Sequence, residues 1–157
     1  MFDEETRAFL ESGCGLIVGT VSPDGAPHAG RGWGLDVLDA GTPARLRLLL
    51  DVDDEGTLDN VAAGAAIAVT ATNVKTLRSI QLKGRAIGPE VLAPDDQARG
   101  DRYVEAFFAD VEAVDGVPRE RFEHFMPSGF VVCTFEAGER FDQTPGPGAG
   151  ARVEVGG

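Results

Sequence analysis

Four cations and no acid fall within Asn73–Arg85 (NVKTLRSIQLKGR), namely Lys75, Arg78, Lys83 and Arg85, in a chain whose formal charge is −12. Such a stretch is a local positive field on an otherwise acidic protein. Read as a strand, alternation sets Ser79, Gln81, Lys83 and Arg85 on one side, while Ile80 and Leu82 pack inward on the other with Arg78 in line. A ladder of guanidinium, ammonium, amide and hydroxyl groups suits phosphate oxygens or the polar edge of a heterocycle. It equally suits a solvated strand face, or a subunit contact paired with acids elsewhere.

A second stretch, Pro27–Val37 (PHAGRGWGLDV), carries glycine at every other place. Alternation puts Gly30, Gly32 and Gly34 on one face and Ala29, Arg31, Trp33 and Leu35 on the other. The bare face lets a flat ring or another backbone approach closely, opposite a cation and an aromatic surface. Glycines that merely let a small barrel bend give the same pattern.

Other reaction chemistries find little support. His28 and His124 are the only histidines and neither has a second ligand at metal spacing, so no metal site is expected. Neither GxSxG nor a cysteine-protease signature occurs. The triplets Gly30/Gly32/Gly34 and Gly146/Gly148/Gly150 have the wrong spacing for a dinucleotide or Walker loop. Cys14 and Cys133 stand alone in apolar settings and read as small core residues in a reducing compartment. With 26 acidic against 14 basic side chains, the surface repels nucleic acid and anionic membranes. No stretch approaches the roughly 20 apolar residues of a membrane span. The opening MFDEETRAFLE is acidic where a signal peptide is basic and then apolar, so a cytoplasmic protein is expected.

Positioning these groups requires strands. At 157 residues and 43% apolar, one core and one domain are expected. The spacing predicts a short helix over Asp3–Ser12, a strand over Gly15–Ser22, a turn at Pro23-Asp24-Gly25, and a second strand over Pro27–Val37. A third strand follows over Ala44–Val52, a short helix over Asp53–Gly64 and a buried fourth strand over Ala65–Thr72. The fifth strand is predicted over Thr76–Leu92, with a bulge at Gly84 or Gly88. Pro94 opens a helix carrying Tyr103, Phe107, Val111 and Val114, Pro118–Phe125 is a brief helix, and Gly129–Glu136 is the last core strand. Residues 1–143 form the barrel domain, and 144–157 a Gly/Pro-rich arm or tail. The fold class is mainly β (α+β): a Greek-key barrel with helices on its outside.

The ordered set GLIVGTVSPDGAPHAGRGWGL, LRLLLDV, AIAVTAT, TLRSIQLKGRA and SGFVVCTFEAGERFDQTPG resembles the pyridoxamine 5'-phosphate oxidase-like family over roughly Phe9 to Gly150. The resemblance implies a six-stranded split barrel that dimerises and binds flavin mononucleotide (FMN) between its subunits. It further implies that Arg31 meets the cofactor, that Ser79 faces the flavin, and that Gly32 and Trp33 line the same wall. The sequence departs from the family at the phosphate. A basic pair is common after strand three, but Glu55 and Gly56 stand there, inside a stretch with five acids in nine residues (Asp51–Asp59). Asp36 also replaces a common lysine at the end of strand two.

Those acids repel a dianionic phosphate. Three outcomes are open: Lys75, Arg78 or Arg31 takes over the phosphate; a deazaflavin or a larger flavin such as flavin adenine dinucleotide (FAD) binds differently; or the cofactor is lost. The expectation is a flavin-dependent oxidoreductase acting on a small molecule, a homodimer with its cofactor sites at the subunit interface. The rival is a non-enzymatic dimeric barrel or one that binds another ligand. The acidic pocket edge disfavours pyridoxamine phosphate as substrate.

Overall fold

Leu16 and Val18 alternate with Ile17 and Gly19, and Leu46 and Leu48 with Arg45 and Arg47, so these stretches bury one face and leave the other open, whereas Leu48–Leu50 and Val132–Phe135 are buried on both faces. A computed structural model describes residues 1–153. Its elements are α1 (Glu4–Leu10), β1 (Gly15–Val21), β2 (Pro27–Asp39), β3 (Ala44–Asp51), α2 (Glu55–Ala62), β4 (Ala66–Thr72), β5 (Ser79–Glu90), α3 (Pro94–Asp115), β6 (Phe130–Asp142) and β7 (Ala151–Arg152). The strand order is β3-β2-β1-β4-β5-β6-β7, all antiparallel, and a β3–β6 pairing closes the first six into a barrel. The inward side chains Leu16, Val18, Leu46, Leu48, Val69, Leu82, Val132 and Phe135 are almost wholly buried. Fold class and barrel are thus those expected.

Two helices are fastened by charge. Asp96, in the first turn of α3, accepts from the Ala93 amide at 2.8 Å, from Arg47 on β3 at 2.7 Å and from Arg99 at 3.1 Å. Its side chain is only 3% exposed. Arg99 also reaches Asp36 on β2 at 3.0 Å, and Glu11 at the end of α1 accepts from the Val37 amide. Asp36 is therefore a latch residue; burial, followed by the neighbouring Glu11, raises its carboxyl above the ordinary range against the pull of Arg99. Removing the Asp96 charge leaves Arg47 with only the more distant Glu90 (3.7 Å) and Arg99 with only Asp36, and takes away the buried acceptor that joins them. Asp96→Asn is expected to cost about 3 kcal/mol in urea unfolding, and a loss below about 1 kcal/mol would show the latch to be incidental.

Four sequence expectations need correction. The fifth strand begins at Ser79, not Thr76, because the Asn73 carboxamide accepts from the Lys75 and Thr76 amides (both 3.0 Å) and makes Asn73–Arg78 a turn. Leu77 completes that turn at φ 60°. Lys75 and Arg78 are therefore loop residues. On β2, alternation breaks at a bulge between Gly32 and Leu35, which turns Leu35 inward opposite Leu48 while Arg31 and Trp33 stay outside. Pro118–Phe125 forms two 3-10 turns, Arg119–Arg121 and Glu123–Phe125, rather than one helix. Finally, β6 runs on to Asp142, where its polar stretch pairs with β5. Of the bulge expected at Gly84 or Gly88, β5 has a register shift at each, between Lys83 and Gly84 and between Ala86 and Gly88.

Thr144–Val153 turns back along the barrel, and β7 pairs with Phe141 and Asp142; the expected tail beyond residue 153 lies outside the described residues. Cys14 and Cys133 are buried free thiols. Burial pushes the Cys133 thiol up to about 12, with Glu90 adding to it. Both are expected to resist a thiol reagent at pH 8 in the native state and to react on unfolding; native reaction at the unfolded rate would contradict their burial.

Candidate functional site

The outer surface of β2-β1-β4-β5 carries two cross-strand rows. The first is Arg31–Ile17–Thr70–Gln81, continued by Phe141 on β6. The second is Ala29–Gly19–Ala68–Lys83. Three neighbouring strands thus contribute Ala, Gly and Ala at one level. With strands about 4.8 Å apart, the bare strip spans roughly 10 Å, the length of three fused six-membered rings. Ile17 and Val21 border it half-exposed, at 50% and 42%.

Polar groups line one edge. Gln81 donates to Thr70 Oγ1 at 2.9 Å and accepts from the Gln143 amide at 3.3 Å. Lys83 and Arg85 stand on the exposed face of β5. Neither meets a carboxylate within ion-pair distance among the described residues; the Lys83 ammonium lies 4.5 Å from the Phe141 ring centroid.

The residues singled out from sequence are only partly brought together. Arg31 rests its guanidinium against Trp33 (5.4 Å to the centroid) and Phe107 of α3 (5.1 Å). Gly32 faces the barrel interior, where an added Cβ would press on Leu16 and Leu48; an added Cβ at Gly30 would strike Asp54 and Thr57. The glycine face of β2 is therefore filled by the protein's own core and α2. Lys75 pairs with Asp110 at 2.5 Å, and Arg78 with Glu5 at 2.8 Å while lying 4.7 Å from the Phe9 ring. Ser79 is buried; its hydroxyl lies 2.9 Å from Thr72 Oγ1 and donates to Leu77 O at 2.9 Å, and its amide donates to Thr144 Oγ1.

The start of α2 is already served by its own acid. Asp54 accepts from the Thr57 hydroxyl (2.6 Å) and amide (3.1 Å), and contacts His28 Nε2 at 2.9 Å. Burial pushes the Asp54 carboxyl up, but the Thr57 hydrogen bonds and His28 outweigh it and leave it below the ordinary range. Asp53 accepts from Ser128 at 2.8 Å. Where the family's phosphate is expected, the helix donors face a carboxylate, so the residues present do not fit a phosphate there.

The bare strip was not legible in any one strand, because Ala29, Gly19 and Ala68 come together only through pairing register. Among the described residues, no helix is long and apolar enough to cross a membrane. No group of three His, Cys, Asp or Glu side chains there could hold a metal ion.

This closed antiparallel barrel, with its Greek-key strand order, has the split-barrel fold of the pyridoxamine 5'-phosphate oxidase-like proteins. Among solved structures, it is similar to HupZ of Group A Streptococcus, at 18% identity and a TM-score of 0.54, covering 96% of this chain and 100% of that one. It is also similar to a putative pyridoxamine 5'-phosphate oxidase from Lactobacillus delbrueckii (21% identity, TM-score 0.52, 89% and 93% covered). A third is a protein related to general stress protein 26, of the pyridoxinephosphate oxidase family, from Clostridium acetobutylicum (12% identity, TM-score 0.51, 96% and 92% covered). At these identities the likeness is one of fold. No protein-family model and no curated protein matches the sequence.

Proposed function

We propose that the chain is a homodimeric oxidoreductase that holds a flavin-type cofactor, FMN or a deazaflavin or FAD in its place, between the outer faces of two barrels. The bare strip Ala29–Gly19–Ala68 carries this reading: it is ring-length, free of large side chains and bordered by half-exposed aliphatic side chains that a second subunit would cover. Gln81 and Thr70 supply amide and hydroxyl groups at one edge, with the buried Ser79, paired with Thr72, one row further along, and Arg31, resting against Trp33, stands at the other end. When bound, such a ring accepts and gives up hydride; the protein supplies position and electrostatics.

A cofactor phosphate is best served by Lys83 and Arg85, which have no carboxylate partner among the described residues. Lys75 and Arg78 would first have to leave Asp110 and Glu5. The self-capped α2 favours a second reading, a dimeric barrel without cofactor. Sedimentation tests the dimer: wild type is expected to be a dimer at micromolar concentration, and Ile17→Asp, at a half-exposed site, a folded monomer with at least about 100-fold weaker flavin affinity. A wild-type monomer that binds flavin stoichiometrically would overturn the interface site.

A further inference from the structure

Beyond Arg31 the outer wall opens into a second, different space. A cleft of about 250 Å³ lies between β2, α3 and the two 3-10 turns, lined by Arg31, Trp33, Phe107, Phe108, Phe122 and Phe125, with Val111 at its side. Phe107 and Phe108 meet edge to face at 5.4 Å, and Phe108 stacks on Phe122 at 5.6 Å, so the aromatic wall is braced from behind. Phe125 is 59% exposed at the mouth. An aromatic cluster that only pinned the 3-10 turns would be expected to close on itself. This one leaves a space larger than the roughly 150 Å³ that admits benzene in an engineered cavity.

The charge at this wall narrows the occupant. Arg31 makes no side-chain hydrogen bond or ion pair to the described residues, in a chain of formal charge −12. Its guanidinium lies against two rings, 5.4 Å from the Trp33 centroid and 5.1 Å from that of Phe107, and its N–H donors are left for a ligand acceptor. A planar apolar body against the phenylalanines, with one carboxylate on Arg31, satisfies both features.

We infer that this cleft binds a planar aromatic monocarboxylate of about two rings, next to the cofactor strip and on the far side of Arg31 from it. Its role as a substrate subsite rests on the flavin reading; the binding itself does not. Trp33, the only tryptophan of the chain, lines the cleft and reports on it directly.

The full-length protein as purified is titrated with 2-naphthoate and, separately, with the neutral 2-naphthylmethanol, following Trp33 emission with isothermal calorimetry as a check. The expected result is saturable quenching by naphthoate at least 10-fold tighter than by the alcohol. Arg31→Gln should erase that preference while leaving the alcohol's affinity within about 2-fold. Phe125→Ala, at an exposed site, should weaken both ligands several-fold without changing the circular dichroism spectrum. Equal affinities for acid and alcohol, or no saturable quenching in folded wild type, would overturn the proposal. So would naphthoate displacing a bound flavin, since both would then share one pocket. Naphthoate binding by a protein that takes no flavin upholds the cleft and sinks the cofactor reading, whereas flavin binding without naphthoate does the reverse.

Discussion

Valine at Gly84 is expected to leave no stable barrel. A Cβ at this position would fall against the Glu136 carbonyl of β6, with the Ala137 backbone next to it at 2.9 Å. The obstruction is backbone, part of the ladder that closes the barrel, and cannot swing aside as a side-chain tip would. The register shift between Lys83 and Gly84 exists because the two strands approach so closely there. A domain of this size has about 5–15 kcal/mol in hand, and prying two core strands apart removes on the order of 4 kcal/mol or more. Thermal unfolding should show a midpoint lower by at least about 10 °C, or no cooperative transition. A Gly84→Val protein melting within about 3 °C of wild type would show that the bulge is not built as described.

Reversing the charge of the β5 edge is the second large effect. Lys83→Glu with Arg85→Glu replaces two cations by two anions on an exposed strand face. The double variant is expected to lose at least about 100-fold in FMN affinity, roughly 2.7 kcal/mol, while its riboflavin affinity changes by less than about 3-fold. The difference isolates the phosphate from the ring. The matching reversal at Lys75 and Arg78 is the comparison. An FMN-specific loss there, with none at Lys83 and Arg85, would move the phosphate to the β4–β5 loop.

The barrel was legible in the sequence because its signals are local. Alternating runs such as GLIVGTV and ARLRLLLD, the Pro23-Asp24-Gly25 turn, and the glycines of β5 each specify their own element. The site was legible only in part. Arg31 and Trp33 do share a face, but the β2 bulge and the Asn73 turn shift Leu35, Lys75 and Arg78 off the simple alternation. Such shifts depend on which strand lies opposite and on a side chain capping a turn. The bare strip is a property of pairing register among three strands, each unremarkable alone. Likewise, Asp36 and Asp96 read as isolated acids until α3 brings Arg99 between them. An island of four cations in sequence thus becomes two ion-paired loop residues and two strand residues without a carboxylate partner among the described residues.

A flavin-type ring on the outer sheet face of a dimer is tested first by the visible absorption spectrum of the purified protein. Titration of the cofactor-free form with riboflavin, FMN, FAD and a deazaflavin completes the test. A bound flavin or deazaflavin spectrum and saturation at one ring per protomer are expected, with tighter binding of the phosphorylated forms if Lys83 and Arg85 hold the phosphate. A colourless, folded dimer that binds none of the four would contradict the flavin reading and leave a barrel without cofactor.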